Sequence, residues 1–356
     1  MTGTRRKYLS LEAGRFFAAL AVVLFHIDIT TSQPKYFGHH VARWFAGGFS
    51  GVEFFFVLSG FVIVSAHYAD LRSPDKAAVT RTFLWKRFVR LYPALWGILL
   101  VLAPAVYFVT ALQWSGPVSL VDVVAAFAIT PISEDRILAV EWTLRYEVLF
   151  YALFALLLWK RALGISGFAI LIGLSLLSYA VSVSGIAGFF VSPYPLMFVA
   201  GAAIAFASRT MALRFAWPSC AIGAAIFLWR LKVCADHPAR EGLLFWDSTF
   251  FGLGAALIVY GLVAWESRRP IAVPRALQYL GAASYSIYLI HYPVVSLSAK
   301  VAMKLRPHVT DPLLFVLMAV VAVGSGIAYH EGFEKRIIAL LRRAPRTSAA
   351  PSMVSA

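Results

Sequence analysis

The sequence predicts an all-α polytopic membrane protein with about ten transmembrane helices. Of its 356 residues, 60% are hydrophobic and only 14% are charged, whereas a soluble domain averages about 25% charged residues. The apolar residues form runs of about 20, which is the length that a helix needs to cross the hydrocarbon core of a bilayer. No run shows the alternating pattern of about ten residues that is typical of an outer-membrane barrel.

The apolar segments follow one another without an intervening soluble domain. The first lacks a small-residue cleavage site, so we predict that it is retained and not removed as a signal peptide. The predicted spans are Leu9–Ile29, Gly47–Tyr68, Phe88–Leu112, Leu138–Trp159, Leu163–Val183, Phe189–Ser208, Phe215–Leu231, Trp246–Trp265, Tyr279–Ala299 and Pro312–His330. Residues 1–343 form one transmembrane domain in this interpretation. The Pro-, Ser- and Ala-rich residues 344–356 are predicted to be a disordered tail.

The distribution of positive charge predicts the orientation in the membrane. Of the 32 Lys and Arg residues, 21 fall on the side of the N-terminus, nine fall on the other side, and two lie within spans. Positive residues concentrate in cytoplasmic loops, so both termini are predicted to be cytoplasmic. This bias also accounts for the formal net charge of +15, and we predict no nucleic-acid partner.

The sequence gives no indication of a metal or of a permanently bound cofactor. Cys220 and Cys234 lie towards opposite ends of one predicted span, and this separation is too large for a disulfide. No group of Cys and His residues has metal-ligand spacing, and neither a Gly-x-Gly-x-x-Gly motif nor a P-loop is present.

The first predicted helix carries three ionisable residues, Glu12, Arg15 and His26. Such groups are costly inside a bilayer and are usually functional there. Arg15 and His26 are 11 residues apart, so they share a face and are separated by about 16 Å. The stripe predicts a polar path in which His26 acts as a general base near the outer surface. The alternative is a Glu12–Arg15 pair that fixes packing, with a histidine at the membrane interface.

Five motifs occur in order along the chain. The segment "LEAGRFFAALAVVLFH" contains Arg15 and His26, and "WKRFVRLYPALW" contains an Arg-x-x-Arg as Arg87 and Arg90. The others are "FFFVLSGF", "WTLRYEVLFY" and "ASYSIYLIHYP". With these motifs the chain resembles the integral-membrane acyltransferase 3 family over nearly its whole length, and residues 1–343 would be its acyltransferase domain.

The chain departs from the family pattern at two places. The usual Asp-Gly-Leu-Arg of the first helix is replaced by a segment from Glu12 to Arg15, which keeps the carboxylate. The proline that often follows Glu-x near the end of the family's sequences is replaced by Arg336 in "FEKR". This second change concerns the exit of the final helix and is not expected to alter the chemistry.

Arg87 and Arg90 lie one helical turn apart at the predicted cytoplasmic end of the third span. Two guanidinium groups on one face suit phosphate oxygens. The resemblance implies acyl-coenzyme A as the donor substrate, with these two arginines and Glu12 on its binding path. The alternative is that both arginines only anchor the positive side of the helix.

Glu147 lies near the middle of the fourth predicted span. Arg145 points away from it and is expected to pair with Glu141 at i, i+4. Glu147 is therefore expected to meet Arg15 or a neighbouring helix. Both a structural role, in which it holds Arg15, and direct proton handling are open.

The ninth predicted span presents Ser284, Tyr288 and His291 on one face, since they are four and three residues apart. His291 is expected at a depth similar to that of His26, and the two histidines could line one site. Hydrogen-bonded packing between polar helix faces is the alternative. Ser59 is interpreted as a small residue for helix packing, because no nucleophile elbow surrounds it.

The resemblance implies a membrane-bound O-acyltransferase of the bacterial inner membrane. We predict acetyl transfer from acetyl-coenzyme A to a hydroxyl of a cell-surface or exported polysaccharide. His26 would be the base or a transient acyl carrier, with Arg15, Glu147 and His291 completing the catalytic set. The partners would be acyl-coenzyme A, a saccharide, the lipid bilayer and a polysaccharide export machinery.

Two other functions are compatible with ten spans that enclose polar groups. One is a secondary transporter or flippase for a saccharide or an acyl intermediate, although transporters often have two related halves and no repeat of these motifs is found here. The other is a non-catalytic subunit of a polysaccharide export complex.

Overall fold

The computed structural model describes residues 8–109, 116–132, 137–210, 214–237 and 244–343. The predicted disordered tail, residues 344–356, lies outside the described residues. Within these ranges the regular secondary structure is helical, with no strand, and eight helices are long and apolar enough to cross a membrane. The protein is therefore an all-α polytopic membrane protein, as the sequence predicts.

Thirteen α-helices follow one another in the described ranges. They are α1 (Leu9–Thr31), α2 (Gly51–His67), α3 (Lys76–Phe108), α4 (Leu120–Ala128), α5 (Trp142–Trp159), α6 (Arg161–Leu177), α7 (Gly185–Phe190), α8 (Tyr194–Thr210), α9 (Ala216–Asp236), α10 (Leu244–Glu266), α11 (Arg275–Leu305), α12 (Asp311–Tyr329) and α13 (Lys335–Arg343). A π-helical segment, His330–Glu334, joins α12 to α13.

The number of membrane-crossing helices is a correction to the sequence-based count of ten. Two predicted spans, Leu163–Val183 and Tyr279–Ala299, have no counterpart among the eight helices. Helix α6 has only 17 residues, which is at the lower limit for crossing the hydrocarbon core. Helix α11 has 31 residues but carries buried polar groups, among them Ser284, Ser286 and His291. These groups lower its hydropathy because the helix turns a polar face towards its neighbours.

Helices α1 and α11 pack side by side and run in the same direction. The backbone of Gly281 lies against the carbonyl of Glu12 at one end of the pair. Arg15 contacts Ser284 one turn further on, and His26 contacts His291 at the other end. A side chain at Gly281 would collide with the α1 backbone, so this glycine allows the two helices to approach closely.

Helices α2 and α8 form a second tight pair. Gly60 of α2 lies against the carbonyl of Phe198, and Gly201 of α8 lies against the carbonyl of Val57. Small residues at such crossings are typical of membrane helices, where dispersion contacts and not the hydrophobic effect hold helices together. The α1–α11 and α2–α8 pairs, together with α3 and α5, enclose the polar cavity described below.

The two described ends of the chain lie at the same end of the bundle. The backbone N–H groups of Leu9 and Ser10, at the start of α1, donate to the carboxylate of Glu266 at the end of α10. Glu331, just after α12, accepts from Tyr279 near the start of α11, and Gly281 in the same part of α11 lies against Glu12 of α1. This arrangement fits the prediction that both termini lie on one side of the membrane. Their cytoplasmic location stays a prediction.

Candidate active site

A cavity of about 120 Å³ lies between α1, α2, α3, α5 and α11. Its polar residues are Arg15, Ser59, Arg87, Arg90, Thr143, Glu147, Tyr151, Tyr285 and Tyr288. A second cavity of about 360 Å³ shares Arg15 and Arg87 with it and opens towards Tyr8, Glu12 and Arg209. The two cavities form a polar cleft that leads from one end of the bundle into its interior.

The two arginines of the Arg-x-x-Arg motif both line the inner cavity, but they have different partners. Arg90 Nη1 donates to Glu334 Oε1 at 2.5 Å. Arg87 Nη2 donates to His67 Nε2 at 3.2 Å. The Arg87 guanidinium also lies over the rings of Phe83 and Tyr151, at 5.5 and 5.6 Å. The motif therefore places two positive groups on one wall of the cleft.

Arg15 lies in the same cleft, and its partner differs from the expected one. Its Nε donates to the hydroxyl of Ser284, at 3.2 Å. Among the described residues Arg15 makes no ion pair with Glu12 or Glu147. The Glu12–Arg15 pair, which was the alternative interpretation of the first helix, is therefore not formed, although Glu12 lines the entrance of the cleft. The physical reason is that α11 packs against this face of α1 and offers Arg15 a closer acceptor.

Glu147 faces the cavity from α5 and is held by hydroxyl groups. Ser59 Oγ donates to Glu147 Oε1 at 3.3 Å, and the Tyr151 hydroxyl donates to the same oxygen. The expected contact with a neighbouring helix is thus made by Ser59 of α2. The predicted i, i+4 pair is also present, since Arg145 Nη2 lies 3.4 Å from Glu141 Oε1.

His26 and His291 meet at the other end of the α1–α11 pair. His291 Nε2 lies 3.2 Å from His26 Nδ1, and the two ring centroids are 4.9 Å apart. The rings of Phe25 and Tyr292 enclose His26 at 5.1 and 5.2 Å. The structure thus brings together the two histidines that the sequence predicts at one depth.

The hydrogen bonds around the pair define the proton on each nitrogen. His291 Nδ1 lies 2.5 Å from the carbonyl of Tyr288, and His26 Nδ1 lies 2.9 Å from the carbonyl of Val22. A carbonyl only accepts, so both Nδ1 atoms carry a proton. The neutral His291 then has an unprotonated Nε2, which shares the single His26 Nδ1–H with the carbonyl of Val22. This arrangement leaves His26 Nε2 with a lone pair and, among the described residues, no hydrogen-bond partner.

The histidine pair and the arginine cleft are close but separate. Tyr288 lines the inner cavity and lies one turn from His291, with 5.6 Å between the ring centroids. Its hydroxyl is hydrogen-bonded to Thr143 Oγ1 at 2.9 Å. Neither histidine lines the inner cavity. Tyr288 and Thr143 therefore form the wall between the two parts of the site.

Two buried residues near the arginines are missing from the sequence-based set. Glu334 is fully buried and also accepts from Ser286 and His330, each at 2.6 Å. Its spacing of four from His330, directly after the last apolar run, was the available signal. His67, at the end of α2, was likewise detectable only as a histidine in an apolar helix.

The comparisons with known proteins agree with this architecture. A family model described as an acyltransferase domain, acyltransferase 3, matches residues 8–331. The chain therefore belongs to this family, and it is a membrane-bound O-acyltransferase. No solved structure matches the chain.

The curated proteins to which the chain is similar include the following three. It is 32% identical to the exopolysaccharide production protein ExoZ of Rhizobium meliloti (strain 1021) over 287 residues, which is 74% of this chain and 80% of the relative. It is 28% identical to the O-acetyltransferase OatA of Staphylococcus aureus (strain NCTC 8325 / PS 47) over 173 residues, 43% of this chain and 25% of the relative. Over 97 residues it is 31% identical to the peptidoglycan O-acetyltransferase OatA of Listeria monocytogenes serovar 1/2a (strain ATCC BAA-679 / EGD-e), 27% of this chain and 13% of the relative.

Proposed function

We propose that this protein transfers an acetyl group from acetyl-coenzyme A to a hydroxyl group of an exported or cell-surface polysaccharide. The observation that carries the proposal is that the α1–α11 pair has chemically different groups at its two ends. Arginines line a cleft at one end of α1 and α11, and a histidine pair lies at the other end. The names of the relatives, which refer to exopolysaccharide production and O-acetylation, support the choice of acceptor and acyl group.

The arginine cleft is the proposed donor site. Coenzyme A carries several phosphate groups, and guanidinium groups bind phosphate oxygens by charge-assisted hydrogen bonds. The donor would enter past Glu12, Arg87 and Arg90 would hold the phosphates, and the thinner arm that carries the thioester would pass Arg15. If this end of the bundle faces the cytoplasm, as the loop charges predict, it is open to the compartment in which acyl-coenzyme A is made.

His26 is the proposed general base. Its Nε2 carries the lone pair in the hydrogen-bond arrangement of the pair, whereas both ring nitrogens of the fully buried His291 are engaged. Nε2 would take the proton of an acceptor hydroxyl while the hydroxyl oxygen attacks the thioester carbonyl. The carbon–sulfur bond then breaks, and the coenzyme A thiolate leaves and takes up a proton. His291 would orient the His26 ring.

The wall between the two parts of the site sets a condition on this mechanism. The thioester must pass Tyr288 and Thr143 to reach His26, so their hydrogen bond would open when the donor binds. An acyl-histidine route, in which His26 Nε2 attacks the thioester first, uses the same geometry. Arg15 and Glu147 would shape the path between the arginines and this wall.

The test is a transfer assay with the purified full chain. Acetyl-coenzyme A labelled in the acetyl group is incubated with the protein and an oligosaccharide acceptor, and label in the saccharide is measured. We expect label transfer to depend on the protein and on the acceptor. Uptake of saccharide into vesicles without label transfer would instead identify a transporter and would overturn the proposal.

A further inference from the structure

A buried histidine at the end of α2 holds one of the two motif arginines. His67 is 1% exposed, and its Nε2 lies 3.2 Å from Arg87 Nη2. Its Nδ1 lies 2.6 Å from Asp70 Oδ2 in the turn that follows α2. The imidazole ring is fixed from the side by the rings of Phe83 and Phe154, at 5.0 and 6.2 Å.

The two contacts permit one protonation state of the imidazole. An arginine side chain can only donate hydrogen bonds, so His67 Nε2 must be the acceptor and carry no proton. Nδ1 then carries the proton and donates it to the carboxylate of Asp70. His67 is therefore a neutral acceptor for Arg87, and Asp70 selects the tautomer that allows this.

The other arginine of the motif, Arg90, has a chemically different hydrogen-bond partner. Arg90 is held by the carboxylate of Glu334, which compensates its charge directly. Arg87 is held by a neutral ring, so its orientation is fixed while its positive charge is kept. In the described part of the chain, the buried Nε of Arg87 has no hydrogen-bond partner. Arg87 lines both cavities of the cleft, so its guanidinium group lies where a ligand of the cleft can bind.

We propose that His67 is a positioning residue for the donor: it fixes the Arg87 guanidinium so that this group binds a phosphate of the acyl donor. The inference rests on the proposed function, because it assumes that the cleft binds acyl-coenzyme A. His67 does not touch the donor and does not take part in the transfer step. It acts only through Arg87, and Asp70 acts through His67.

The experiment compares donor KM and kcat for the wild type and for His67→Ala, His67→Gln, Arg87→Ala and the double variant, with acetyl-coenzyme A as the probe. Loss of one hydrogen bond to a charged group predicts a rise of about tenfold in donor KM for His67→Ala, with little change in kcat at saturating donor. His67→Gln offers an amide oxygen near the position of Nε2 and should recover most of the affinity. His308→Ala, at an exposed loop position, is the matched control and should behave as the wild type.

The double variant distinguishes positioning from a general structural role. If His67 acts through Arg87, then removing His67 from the Arg87→Ala protein should not raise donor KM further, because the two effects are coupled. Additive effects, or an unchanged KM in folded His67→Ala, would overturn the inference. Should His67→Ala fail to fold, Asp70→Ala takes its place, since it keeps the ring but removes the group that selects the tautomer, and it should also raise donor KM.

Failure of the underlying proposal has a different outcome. If the wild type does not bind acetyl-coenzyme A, or if Arg87→Ala binds it as well as the wild type does, then the cleft is not the donor site and both proposals fall. If Arg87→Ala weakens binding but His67→Ala does not, only the role of His67 is lost.

Discussion

The buried polar side chains at the two ends of the α1–α11 pair have different kinds of partner. At the arginine end, three guanidinium groups line one cleft with the carboxylate of Glu147, and the buried carboxylate of Glu334 contacts one of them, Arg90. At the histidine end, two rings that can both be neutral bind each other and two backbone carbonyls, within an aromatic frame. About 16 Å of helix separates Arg15 from His26.

This difference shows which chemistry each end can support. Burying a charge is costly unless it is paired, and at the arginine end Arg90 is paired with Glu334. Arg15 and Arg87 make no ion pair among the described residues and contact neutral side chains instead, so this end is suited to an anionic ligand. The histidine end holds no fixed charge in the neutral arrangement of its rings, and it leaves one lone pair on His26 Nε2. Such a group suits proton abstraction. The ends can therefore be tested separately, with transfer as the measure of one and donor binding as the measure of the other.

The largest expected effect is at the histidine end. His26→Gln retains a hydrogen-bonding side chain but cannot take the proton, so we expect transfer to fall at least ~100-fold, the usual contribution of a general base. Donor binding, measured on the same preparation, should stay close to that of the wild type, because the arginine cleft is unaltered. A folded His26→Gln protein with nearly normal transfer would show that His26 is not the base.

A smaller effect, in the opposite measurement, is expected at the arginine end. The double variant Arg87→Ala with Arg90→Ala should weaken acetyl-coenzyme A binding by at least about tenfold, since hydrogen bonds to charged groups contribute about 1.5–3 kcal/mol each. Equilibrium binding of labelled donor measures this. Lys86→Ala removes a neighbouring exposed positive charge and serves as the matched control. Equal losses in the double variant and the control would indicate topology anchors and not a phosphate site.

The last prediction concerns the compartments that the two ends face and involves no change in activity. In a variant without Cys220 and Cys234, single cysteines are introduced as His308→Cys and Arg72→Cys, both at exposed positions. A maleimide that does not cross the membrane should label His308→Cys on intact cells and Arg72→Cys only after permeabilisation. The reverse pattern would place the arginine cleft outside the cell, away from cytoplasmic acyl-coenzyme A.

Much of the fold and part of the site follow from local patterns in the sequence. Apolar runs predict the helices because backbone groups in lipid must be satisfied within each segment. The 11-residue spacing of Arg15 and His26 fixes their common face, and the spacing of Ser284, Tyr288 and His291 does the same for α11. Since helical periodicity depends only on local geometry, these faces could be predicted without knowledge of the packing.

The partner of each polar group was decided by the tertiary structure. Arg15 binds Ser284, 269 positions away, and not the nearby Glu12, and Arg90 binds Glu334, 244 positions away. Periodicity tells which way a side chain points from its own helix, but it does not tell which helix lies opposite or at what register. Close packing at glycines such as Gly281 sets that register. The His26–His291 contact and the hydrogen bond from Arg87 to His67 form only when the helices pack, because each joins side chains from two different helices.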